Sequence, residues 1–240
     1  MKNFVIIHGA WHTGELFEAT AGPIRAQGHK VYLPTLAGNR PGQKKDEIGL
    51  EEAVQSMLDY FETERIDKAV LVGHSYAGMI ITALADRIPE KIDRLVYWNA
   101  FVPNDGEAIN DMVPPHYAEL FDQLEEEDGT VTLPFPIWRE AFINDGSMQL
   151  AMSSYAQLNP HPYKTFTDKA SLSKNPVDMQ LGKSYINCTE DTSMPQSLGW
   201  HPRLSEKLGL FRLLQCSGGH ELCFTNPDLL AEKIIEAGQD

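Results

Sequence analysis

Cysteine is scarce in this chain. Cys188, Cys216 and Cys223 are the three present, too few to complete a disulfide framework and without the paired spacing of a metal knot. Long apolar runs are missing as well: no stretch approaches the roughly 18 residues that a membrane span needs. Basic residues are outnumbered, with 20 Lys and Arg against 34 Asp and Glu and a net charge of −14. That surplus repels nucleic acid and anionic membranes and favours neutral or cationic small ligands; it also keeps a protein soluble. Ahead of the first apolar run, Asn3 to Ile7, there is no charged leader, signal core or cleavage site. The expectation is a reduced, cytoplasmic protein that acts on a small molecule, with neither nucleic acid nor membrane as a partner.

The composition that remains, 42% hydrophobic and 22% charged over 240 residues, suffices for one large core. Short apolar runs bounded by turn residues recur at 4–7, 30–33, 69–72, 94–98, 183–188 and 211–216. Most lack polar alternation, as strands covered on both faces do. Helix-period segments lie between them. Ile48, Val54, Met57, Leu58, Phe61 and Ile66 mark one face of such a segment, opposite Glu51, Glu52, Asp59 and Glu62. This alternation predicts an α/β fold: a doubly wound, mostly parallel sheet of about six strands with its chemistry at their carboxyl ends.

One connection breaks the rhythm. Between Val102 and Gly182, roughly 80 residues contain no convincing buried strand, far beyond an ordinary α/β loop. Their Met112, His116, Tyr117, Phe121, Phe135, Trp138, Phe142, Met148, Met152 and Tyr155 recur at helical spacing. They predict a helical cap in which most of these side chains form the cap's own core and the rest line a pocket beneath. The expected division is a core of residues 1–102 and 183–240 with a cap, or lid, at 103–182. Trp11, Trp138 and Tyr155 are the candidate pocket residues.

Chemistry is concentrated at Gly73-His74-Ser75-Tyr76-Ala77-Gly78, between the run 69–72 and a helix-like stretch at 79–84. A serine on a sharp strand-to-helix turn is the nucleophile elbow of serine hydrolases, and its strain requires small neighbours two residues to either side. Gly73 and Ala77 meet that need; the usual second glycine is displaced to Gly78. A serine hydroxyl also needs a base, and the base a third group to orient it. Beyond the last strand-like run, Ser217-Gly218-Gly219 presents His220 just before the terminal helix. For the acid, the position after run 94–98 holds Asn99, whose amide cannot stabilise an imidazolium. The position after run 183–188 offers Glu190 and Asp191; Asp191 is the candidate and Glu190 its alternative. Donors for a tetrahedral oxyanion are expected from the backbone N–H groups of Ala10, in the His8–Gly14 loop, and Tyr76. His8 reads as structural, and His12 and His74 as packing or hydrogen-bonding residues.

Taken together, His8-Gly9-Ala10, Leu71 to Tyr76, Leu95-Val96-Tyr97, Ala100 to Pro103 and Gly219-His220 resemble the α/β-hydrolase superfamily. The likeness is to the branch that holds plant methylesterases, hydroxynitrile lyases and bacterial pyrethroid-hydrolysing carboxylesterases. It covers most of the core and is weak in the cap. The resemblance implies a Ser75, Asp191 and His220 triad, a mobile lid over an apolar pocket, no cofactor and no metal, and is compatible with a homodimer. S-selective lyases of this branch carry threonine where this chain has Gly9 and lysine where it has Glu221, which favours the esterase side. Plant members carry tryptophan where Glu15 stands, so their hormone-ester pocket is not expected. The expected reaction is cleavage of small to medium uncharged carboxylic esters through an acyl-enzyme. The rival readings are a lactone, amide or carbamate hydrolase, a cofactor-free dioxygenase, a C–C or C–CN lyase, and a non-enzymatic ligand receptor.

Overall fold

Apolar runs without polar alternation belong in the middle of a sheet, and the structure, a computed structural model that describes residues 1–239, assembles them there. The chain forms β1 (Asn3–Ile7), β2 (Lys30–Tyr32), β3 (Ala69–His74) and β4 (Ile92–Trp98). After an insertion that carries β5 (Thr130–Val131) and β6 (His161–Pro162), it forms β7 (Gly182–Cys188) and β8 (Arg212–Cys216). Six strands make one sheet in the order β2-β1-β3-β4-β7-β8, and every neighbouring pair is parallel. This is the expected doubly wound α/β sheet.

Side-chain alternation divides the interior into two layers. Val5 and Ile7 of β1, Leu71 of β3 and Leu95 and Tyr97 of β4 join one apolar cluster with α2 (Leu50–Thr63) and α3 (Ala77–Arg87). Their neighbours Phe4, Ile6, Val70, Val72, Val96 and Trp98 join the other, against α1 (Glu18–Ala26) and the C-terminal helix Pro227–Ala237. All six residues of β3 are buried, so the site-bearing strand is held on both faces. Burying each such aliphatic side chain contributes about 1.5–3 kcal/mol. The edge strand β8 reads differently: Leu213 is 39% exposed.

The insertion between β4 and β7 is more varied than a helical cap. It holds short helices at Ile109–Met112, Pro115–Gln123, Met148–Tyr155 and Lys164–Thr167, a π-helical turn at Trp138–Phe142, and the antiparallel β5–β6 pair. Two-residue strands give no readable alternation, and Pro162 removes a strand donor, so the pair left no sequence signature. Ile109, Phe121, Val131, Trp138 and Ile143 belong to the same apolar cluster as Val5 and Ile7. The insertion therefore rests on the sheet's own core. Among the described residues, no helix is long and apolar enough to cross a membrane.

Candidate active site

The loops leaving the carboxyl ends of β1, β3, β4, β7 and β8 converge. At the end of β3, Ser75 adopts φ +53°, a left-handed conformation that a serine holds only when its surroundings impose it. Three backbone hydrogen bonds impose it here. Ser75 N–H donates to Trp98 O at 3.2 Å, and Ser75 O accepts from the N–H groups of Gly78 and Phe101, each at 3.1 Å. The glycine placement follows from the same crowding. A Cβ at Gly78 would lie 1.9 Å from Phe101 O, and one at Gly73 would lie 2.9 Å from Ala77 O. Position 78, rather than 77, is where a side chain has no room.

His220 stands beyond β8. A Cβ on Gly218 would strike Leu222 at 2.4 Å, and one on Gly219 would meet Asn144 and Asp145 at 2.7 Å. Asp145 also accepts the Gly219 N–H at 2.9 Å. The imidazole Nδ1 donates to Asp191 Oδ2 at 2.7 Å, and both side chains are 1% exposed. With its hydrogen on Nδ1, the ring keeps Nε2 as a free acceptor. Burial lowers the pKa of His220, but the charge and hydrogen bond of Asp191, helped by Glu221, outweigh it and the net shift is upward. Burial likewise opposes ionisation of Asp191, and His220 together with the two Ser193 donors brings its pKa below the ordinary value.

The same carboxylate gathers further partners. Asp191 Oδ1 accepts from Ser193 N–H at 2.8 Å and Ser193 Oγ–H at 2.6 Å. Asn99 Nδ2 donates to Asp191 Oδ2, and Asn99 Oδ1 accepts from Cys188 N–H at 2.8 Å. Glu190 turns its side chain outward. Asn99 and Ser193 are contributions that sequence reasoning missed, although Asn99 stands at the very position examined for the acid. The ring of Trp200 stacks on His220 at 5.2 Å, and Phe142 meets it edge-on, also at 5.2 Å. Among the described residues, no hydrogen bond joins the Ser75 hydroxyl to the His220 ring, a contact that often tightens only when substrate is bound.

Ala10 and Tyr76 line one cavity with Ser75, Trp11, Phe101, Phe121, Phe142, Phe166 and Trp200. It encloses about 40 Å³, and its walls carry no charged side chain. The peptide before Ala10 is oriented by a buried imidazole. His8 Nδ1–H donates to Gly9 O at 2.8 Å, while His8 Nε2 accepts Leu36 N–H at 3.1 Å. Because a trans peptide points its C=O and N–H in opposite directions, the Ala10 N–H faces away from that ring. Burial lowers the His8 pKa to about 3, so the ring stays neutral as this bonding requires.

Two candidate pocket residues lie elsewhere. Trp138 is fully buried inside the insertion and donates its indole N–H to Ala151 O at 3.1 Å. Tyr155 packs on Phe135 and donates its hydroxyl to Leu133 O at 2.7 Å. Both polar tips are satisfied by the insertion's own backbone, and of the three candidates Trp11 alone reaches the cavity. His74, His220 and Glu221 bring one potential metal-ligand atom each within 4.8 Å of one another. Their geometry is that of a hydrogen-bonded network: His74 Nε2–H donates to His220 O at 3.0 Å, and Glu221 Oε2 faces His12 Nε2 at 3.0 Å.

Residues 4–233 match the model of the alpha/beta hydrolase family. A solved extracellular α/β-hydrolase from a Paenibacillus species, described as sharing structural and functional homology with tobacco salicylic acid-binding protein 2, superposes with a TM-score of 0.95. It is 36% identical, with 100% of each chain covered. The carbendazim hydrolyzing esterase of Nocardioides sp. (strain SG-4G) is 44% identical over 116 residues, a match spanning 48% of each protein. The pyrethroid hydrolase of Sphingobium wenxiniae is 23% identical over 98% of this chain and 87% of its own length.

Proposed function

The chain belongs to the α/β-hydrolase family, and from that premise we propose that it is a serine esterase acting on small to medium uncharged carboxylic esters. Ser75 attacks the acyl carbon while His220 Nε2 takes its proton. Asp191 holds the opposite ring nitrogen and stabilises the imidazolium that forms. The amides of Ala10 and Tyr76 receive the oxyanion. His220 then protonates the departing alcohol and activates the water that clears the acyl-enzyme.

One observation carries this reading: the 2.7 Å bond that fixes the hydrogen of His220 on Nδ1 and leaves Nε2 as a base beside an uncharged cavity lined by Ser75. The lack of charge in that lining supports a neutral substrate, since an unpaired ionic group would lose its hydration there. A C–CN lyase is disfavoured on steric grounds. A Cβ at Gly9 would stand 2.9 Å from His74 Nδ1 and 3.2 Å from Ser75 Cβ, so the threonine of such lyases has no space. Residues 103–182 act as the lid. The cavity holds only about three water-sized volumes, so substrate enters as that segment yields. The free thiols of Cys188 and Cys216, 3.8 Å apart on neighbouring strands, suit a reducing cytoplasm.

The test is labelling with a fluorophosphonate, location of the adduct by mass spectrometry, and turnover of ester, lactone and amide panels. An adduct on Ser75 and a preference for neutral esters are expected. Labelling elsewhere, or ester turnover that survives Ser75→Ala, overturns the assignment.

A further inference from the structure

The proposed mechanism leaves two buried titratable groups unused. His12 and Glu221 are each 1% exposed, and their side chains meet at 3.0 Å between His12 Nε2 and Glu221 Oε2. His12 Nδ1 is also engaged, 2.6 Å from Ala10 O. A carbonyl oxygen only accepts, so Nδ1 carries a hydrogen. A neutral imidazole has no second one, and its bare Nε2 would then oppose a bare carboxylate oxygen. The contact requires a further proton, on His12 as an imidazolium or on Glu221 as an acid. In either arrangement the pair carries no net charge.

We propose that His12 and Glu221 form a proton-sharing strut that positions the oxyanion loop against the histidine loop. Glu221 directly follows His220, and His12 lies two residues past Ala10. The strut grips the Ala10–Trp11 peptide, next to the amide offered for the oxyanion. Trp11 needs such a grip, because it holds φ +65° and a tryptophan stays left-handed only when its neighbours over-determine it. Asn39 Nδ2 donating to His12 O at 3.1 Å, and Asn159 N–H donating to Trp11 O at 2.8 Å, complete the restraint.

No neighbour can relieve the pair of its proton. The His74 ring lies 5.9 Å from His12, and the Cys223 thiol lies 3.7 Å from Glu221 Oε2. Burial holds His8, His74 and His161 neutral and keeps the Cys223 thiol protonated. His220 is committed to Asp191. Phe17, Trp138 and Phe224 close the remaining sides of the His12 ring. Without the shared proton two acceptors would face each other in a dry site, so the contact depends on it.

The inference rests on the esterase reading for its catalytic consequence, and its test separates the two. Glu221→Ala lowers kcat about tenfold or more with KM within about threefold, since the oxyanion hole acts in the transition state. Glu221→Gln recovers most of that loss: its amide N–H donates to a neutral His12 Nε2, and no proton remains to be lost. If Glu221→Ala keeps full kcat, or Glu221→Gln loses as much as the alanine variant, the strut is refuted; should the alanine variant not fold, the His12 spectra of the wild type and Glu221→Gln decide alone. Nitrogen-15 NMR of histidine-labelled protein reads the same point without turnover. His12 Nε2 should report the proton shared with Glu221 in the wild type and a bare nitrogen accepting an amide N–H in Glu221→Gln. A wild type that turns over no ester yet shows this contrast sinks the esterase reading and keeps the strut; identical His12 spectra sink the strut.

Discussion

The strand-end loops and the insertion above them meet at one cavity, yet they are built on opposite principles. Each candidate chemical group sits within a few residues of a strand of the parallel sheet, held by backbone geometry that a single Cβ would break, as at Gly78 and Gly219. The insertion supplies walls. Tyr117, Phe121, Phe142 and Phe166 line the cavity from short helices joined by irregular turns, where a neighbouring rotamer can move without disturbing a ladder. Position is strict below and adjustable above. On the proposed reading, the sheet would supply reactivity and the insertion selectivity.

That contrast can be broken by measurement. The largest effect expected is loss of ester turnover by about a thousandfold or more in Ser75→Ala; a smaller fall than any insertion variant produces would erase the distinction. Next, Asp191→Asn should reduce kcat about a hundredfold or more and exceed the effect of Glu190→Gln. The reverse ranking in steady-state kinetics would move the acid. The third concerns pH. The reaction needs neutral His220, whose pKa is raised in the folded protein, so kcat/KM should fall as pH drops through a midpoint above about 6.5. Asp191→Asn removes the main upward influence and should carry that midpoint down, and a profile flat to pH 4 would contradict the base. Above the sheet, Phe121→Leu should change KM about threefold to tenfold with kcat nearly constant. Smallest of all, Tyr155→Phe should leave kinetics within about twofold and cost about 1 kcal/mol of stability through the lost bond to Leu133, read as a lower denaturation midpoint.

Legibility in the sequence followed the same division. Runs such as 69–72 announce buried strands because both faces are covered and no polar alternation intervenes, and the sites after them could be read off as turns. Eliminating Asn99 left Asp191 as the candidate acid with Glu190 as its alternative, and the structure puts Asp191 against His220. That step was incomplete: an amide unable to act as the acid can still donate to it, and a pairing between residues 92 positions apart leaves no local trace. The same holds for His12 and Glu221, separated by 209 positions. In the insertion, elements of three to five residues, such as Phe135–Ile137 and Trp138–Phe142, complete too few turns for a periodicity to show. Aromatic content marked Trp138 and Tyr155 as apolar surface without saying which side it faced, and the backbone carbonyls of Ala151 and Leu133 claimed their polar ends.

Asp145 joins the two regions. Its carboxylate belongs to the insertion, yet it accepts the Gly219 N–H immediately ahead of His220 and the Thr225 hydroxyl beyond it. Any excursion of the cover that withdraws Asp145 slackens the peptide carrying the imidazole. On the proposed reading of residues 103–182 as a lid, admission of a ligand and readiness to react would then oppose each other.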